Sequence, residues 1–100
     1  MSLHITFQPP AFNVDAPLAG GGRASETVAA GASGSLTAAD GEMAVVTNVG
    51  ASALYFTHGT TPNSAATVST PATSARYAIG AGVTMAVATK TGDKFAVASS

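Results

Sequence analysis

Residues 42–59, EMAVVTNVGASALYFTHG, constrain the fold more than any other stretch of the chain. Strand-forming residues crowd both sides of a group of turn formers, Asn48, Gly50 and Ser52. Strand side chains alternate between two faces, so a β-hairpin here is expected to put Met43 and Val45 on one face with Leu54 and Phe56. No comparable apolar periodicity of the helical kind occurs elsewhere, and the glycines at 31 and 34 disfavour a helix in the alanine-rich stretch before it.

The rest of the chain continues in short strands and turns. Thr27-Val28-Ala29 begins a strand, residues 31–35 form a loop, and Asp40-Gly41 marks a turn. Beyond Gly59 a polar, low-complexity stretch carries a turn at Pro62-Asn63 and a short edge strand over 66–69 that Pro71 ends. Residues 75–79 read as a strand with Tyr77 and Ile79 on one face. Residues 83–89 read as the next, with Val83, Met85 and Val87 inward, and a turn at 91–94 closes a final hairpin into 95–98. Six to eight short strands divided by Gly, Pro, Asn and Asp predict an all-β fold, a small β-sandwich or jelly-roll-like barrel.

Residues 1–24 are expected to be an extended N-terminal arm, leaving 25–100 as a single β-domain. Pro9-Pro10 and Pro17 remove backbone donors, and Gly20-Gly21-Gly22 supplies a hinge. Leu3, Ile5 and Phe7 alternate as a short edge strand does. A frayed tail seldom carries so many large apolar residues, so Ile5, Phe7 and Phe12 are the candidate partner-binding residues of the arm.

Composition bears on what such a chain can do. At 100 residues, with 46% hydrophobic content much of which is alanine, the core rests on few large side chains. Domains of that kind rely on disulfides, metals or oligomerisation. Cysteine is absent, which leaves oligomerisation, expected as a dimer or trimer. Charged residues are only 9%, against roughly 25% in ordinary soluble domains, and the net charge is −1. There is no basic stripe for nucleic acid, and no apolar run long enough for a membrane span.

Catalytic patterns were sought among the remaining polar residues. His58, beside Gly59, is a candidate general base, but a polar residue at a loop mouth is the commoner role. Nothing close in sequence completes a triad, so a partner would have to come from a distance, such as Asp40 or Asp93. His4 and the scattered carboxylates show no metal-ligand spacing. The 31–35 stretch GASGS lacks the closing glycine of a nucleophile elbow, and Gly20-Gly21-Gly22-Arg23 lacks the features of a phosphate loop. Without tryptophan, Tyr55 and Tyr77 are the candidate carbohydrate platforms, and packing is the commoner use of each. The expectation is no enzyme, no cofactor and no metal.

Three segments, VVTNVGASALYFTHG at 45–59, SARYAIGAGVTMAVAT at 74–89 and DKFAVASS at 93–100, together resemble small all-β virion proteins of tailed bacteriophages. Within that group the short length and the arm make the chain most similar to capsid decoration (cement) proteins. The resemblance implies a non-enzymatic protein made in the host cytoplasm that sits on the outer surface of the capsid. It implies the major capsid protein and neighbouring copies as partners. A tail or fibre module binding a host-surface receptor or carbohydrate is the alternative, with the 60–74 loop as its contact.

Overall fold

The computed structural model describes residues 1–9, 22–60 and 76–99. They form seven strands: β1 (Ser2–Gln8), β2 (Ala24–Ala29), β3 (Met43–Asn48), β4 (Leu54–Gly59), β5 (Tyr77–Ile79), β6 (Thr84–Ala88) and β7 (Lys94–Ala98). No helix occurs among the described residues. One antiparallel sheet has the order β2-β1-β3-β6, and a second has β5-β4-β7. Both sheets contribute to one core, which includes Leu3, Ile5, Phe7, Val46, Leu54, Phe56, Ile79, Phe95 and Val97. The all-β expectation holds.

The expected arm is corrected at its first segment. Residues 2–8 are β1, an internal strand that pairs with β2 on one side and β3 on the other. Ile5 and Phe7, expected to meet a partner, are fully buried with Leu3 in the core. An internal strand has its backbone groups satisfied on both edges, and its alternate side chains fill the space between the sheets. Ser2, His4 and Thr6 take the other face. Phe12 lies outside the described residues, as does the edge strand expected over 66–69.

The expected hairpins also resolve differently. β3 and β4 belong to different sheets, so the turn at 49–53 crosses between sheets instead of closing a ladder. The inward face of β3 is Ala44, Val46 and Asn48, while Met43 and Val45 are only partly covered on the other face. The run Met43 to Val46 is apolar on both parities, so alternation alone could not choose its face. The turn at 91–93 likewise carries the chain from β6 in one sheet to β7 in the other. Val87 faces the core as expected, but Val83 and Tyr77 are exposed.

A loop stitches the two sheets together along β7. Gly31 N donates to Val97 O at 2.8 Å, Gly34 N donates to Phe95 O at 2.7 Å, and Val97 N donates to Ala32 O at 3.0 Å. Gly31, at φ +87°, lets the chain leave β2 and turn onto this edge. The Glu26 carboxylate on β2 holds the same loop by accepting from Ser35 N and Leu36 N at 3.2 and 3.0 Å.

Truncation separates a core strand from an arm. Phe7→Ala is expected to cost about 3–5 kcal/mol in urea denaturation, and Ile5→Val about 0.5–1.5 kcal/mol. Changes within about 0.5 kcal/mol for both would mean that β1 does not carry the core.

Candidate functional site

The strand order brings the ends of β1, β3, β4, β5 and β6 to two opposite poles of the molecule. At one pole are residues 1–2, 48–54 and 79–84, none of which has a charged side chain among the described residues. At the other pole are Arg23, Asp40, Glu42, Lys90, Asp93 and Lys94. The separation follows from register: Asn48 pairs with Leu3, while Gln8 pairs with Met43, which pairs with Ala88.

The uncharged pole is built around Asn48, a fully buried side chain at the end of β3. Its Nδ2 donates to Ser52 O at 2.8 Å and to Ile79 O at 3.0 Å. Its Oδ1 accepts from Gly50 N at 2.8 Å. The backbone of Asn48 donates to Val83 O and accepts from Gly82 N, both at 3.0 Å. One residue therefore shapes two turns and joins a strand of one sheet to a strand of the other. The turn role read for Asn48 in the sequence is right, but its long-range half was invisible there.

Around this buried hub the surface is apolar. Val49, Met1 and Val83 are 59, 51 and 46% exposed, large values for side chains of their kind. A Cβ on Gly50 would lie 3.3 Å from Met1 Sδ, and one on Gly80 would lie 3.4 Å from Val83 Cγ2, so these groups flank the same two turns. Exposed apolar side chains gathered at one place, with small uncharged residues between them, mark an interaction surface.

At the charged pole Arg23 and Glu42 satisfy each other. Arg23 donates from Nε and Nη2 to the two Glu42 oxygens at 2.8 and 2.9 Å, and from Nη2 to Thr37 O at 2.8 Å. Glu42 also accepts from Ala39 N at 2.8 Å. The hydrogen bonds from Arg23 hold the Glu42 carboxyl below the usual glutamate range, outweighing the opposite push of burial.

His58 lies near the end of β4 that meets the charged pole. Its Nδ1 donates to Asp93 Oδ2 at 3.0 Å, so the distant aspartate raised by the sequence is indeed its neighbour. Asp40 is instead within 3.4 Å of Thr91 Oγ1. The imidazole is stacked against Phe95 and Tyr77, with centroids 5.5 and 6.1 Å away. It walls a cavity of about 260 Å³ shared with Phe56, Tyr77, Met85 and Val87. Asp93 Oδ2 also accepts from Lys90 N at 3.0 Å, which fixes the turn between β6 and β7. Of the hydroxyls on the neighbouring turn, Thr89 Oγ1 donates to Glu42 O, and Thr91 Oγ1 faces Asp40. The His58–Asp93 pair positions the imidazole in the cavity wall.

His4 Nδ1 faces Thr27 Oγ1 at 3.1 Å on the exposed side of β1. No group of three metal-ligating side chains occurs among the described residues. Tyr77 is a cavity wall, and Tyr55 lies on the opposite face of β4 beneath Arg76. No family model matches the chain, and comparison with curated proteins and solved structures likewise finds no match.

Two measurements probe the poles. Asn48→Ala strands the carbonyls of Ser52 and Ile79 and the amide of Gly50, and is expected to cost about 3 kcal/mol or more in denaturant unfolding. At the charged pole, a carboxyl whose folded pKa is depressed stabilises the fold fully above its unfolded value, and that contribution disappears as pH falls through the folded one. Glu42→Gln should therefore lower the urea midpoint near neutrality and flatten its decline below roughly pH 4.3. An acid limb unchanged by the substitution would assign that limb to other carboxyls.

Proposed function

We propose that the chain is a non-enzymatic structural protein of a tailed-bacteriophage virion, a decoration or cement protein. It binds the major capsid protein on the outer surface of the head and stabilises the shell, in company with copies of itself. In this reading the two sheets make a small β-sandwich whose uncharged pole is the docking end. The observation that carries it is the gathering of Val49, Met1 and Val83 at a pole without charged side chains. A surface of this kind excludes water on contact and presents no charged side chain to desolvate. Copies repeated over a shell multiply a modest contact energy. The resemblance of segments 45–59, 74–89 and 93–100 to small virion proteins supports the same reading.

The test is co-sedimentation of purified protein with expanded empty heads, with whole host cells as the parallel target. Binding to heads is expected, and a Val49→Glu/Val83→Glu variant should bind at least about tenfold more weakly. Its unfolding free energy should stay within about 0.5 kcal/mol, because both side chains are exposed. Binding to cells and not to heads would replace the decoration reading with a receptor-binding tail or fibre module.

A further inference from the structure

We propose that Arg76, Thr57 and Tyr55 form a carboxylate-binding site on the face of the β5-β4-β7 sheet turned away from the core. The placement follows from strand parity. Leu54 and Phe56 of β4 are buried in the core, so Tyr55 and Thr57 project to the opposite face. β5 runs antiparallel to β4 with Tyr77 opposite Phe56, which sets Arg76 on the next rung, opposite Thr57. The Arg76 guanidinium carbon lies 4.3 Å from the centroid of the Tyr55 ring, so these two share the face to which parity assigns Thr57.

The hydrogen-bonding state of these groups points to a ligand. Thr57 is fully covered, and its Oγ1 has no hydrogen-bond partner. Nε and Nη2 of Arg76 are also sealed from solvent and unpartnered, while the residue as a whole is only half-buried. Buried polar groups are nearly always satisfied, and a covered guanidinium edge without an anion is costly. Nε–H and Nη2–H form the parallel pair that receives the two oxygens of a carboxylate. Arg23 uses the same two nitrogens to hold both oxygens of Glu42 in this chain. The Thr57 hydroxyl adds a third donor, and the Tyr55 ring backs the cation.

Donor number favours a planar carboxylate over a phosphate, whose additional oxygens would find no partners among these three residues. The described carboxylates are engaged elsewhere. Glu26 holds Ser35 and Leu36, Glu42 holds Arg23, Asp93 holds His58, and Asp40 faces Thr91. With no described carboxylate free for the fork, the proposal takes the ligand from another molecule, either as an acidic side chain of a partner protein or as a free small acid. The site is independent of the capsid reading and stands or falls separately.

The test is a titration of the nitrogen-15-labelled protein with sodium acetate, following the Arg76 Nε–H resonance, with sodium chloride at matched ionic strength as the reference. A saturable shift specific to acetate is expected. Arg76→Lys, which keeps the charge but not the fork, should weaken acetate binding at least about tenfold. Thr57→Val should weaken it about tenfold while leaving the free protein equally or more stable, a combination that a purely structural hydroxyl would not produce. Tighter binding of an N-acetylglutamate amide than of succinate would assign the site to a protein partner, and the reverse to a free acid. A response equal to that of chloride would overturn the proposal. So would an Arg76 Nε–H shift caused by Asp15→Asn without acetate, because the fork would then be filled from within the chain.

Discussion

The Asn48 side chain is the constraint on which the two-sheet arrangement turns. Both sheets are antiparallel, but their ladders do not connect β3 to β4 or β5 to β6. At the uncharged pole those crossings are held by the amide of one buried asparagine, bonded to Ser52 O, Ile79 O and Gly50 N. A buried amide offers two donors and an acceptor with strong directional preference, and leaving any of them unpaired in the interior is expensive. An apolar residue at the same place would fill space without specifying which turn lies where. The core supplies most of the driving force, and Asn48 supplies geometry.

Along the β7 side the two sheets are joined by backbone instead. The 31–34 loop bonds to β7 and covers an edge that would otherwise offer free donors and acceptors. Glu26, reaching from β2, fastens that loop by its backbone amides. The charged pole is fastened by Arg23 and Glu42 and by Asp93 with His58. Four of the nine charged residues, Arg23, Glu26, Glu42 and Asp93, are therefore internal fasteners, and among the described residues the other pole carries no charged side chain. Low charge content thus has a spatial meaning: these four charges hold turns and loops, and the described surface without charged side chains is open to contact.

Much of the fold was legible because strand alternation is local. Leu3, Ile5 and Phe7 alternate in the sequence and are the inward face of β1; Phe95 and Val97 do the same in β7. What alternation leaves open is the neighbour. The prolines after β1 suggested an arm, yet Pro9 only ends a strand whose two edges are both paired. In β3 the apolar run occupied both parities, so the inward face was settled by Val46 packing in the core and by the buried bonds of Asn48. The His58–Asp93 contact was named as an option from residue type alone, because 35 residues separate the two and no local spacing encodes the pairing. The Arg76–Thr57 cluster went unread, since its signal is the absence of partners for buried atoms, a property that exists only after folding.

By itself the sequence determined an all-β chain of short strands, with turns at its glycines, asparagines and aspartates. It also determined a small apolar core without disulfide support, because period, turn chemistry and composition are properties of neighbouring residues. The tertiary structure alone decided which strands share a sheet and that residues 2–8 belong to the core. It likewise decided that Met1, Val49 and Val83 meet at one pole and that an arginine fork is left unpartnered on the outer face. Those outcomes depend on competition among distant segments for the same edges and the same interior volume, and no local pattern records who wins it.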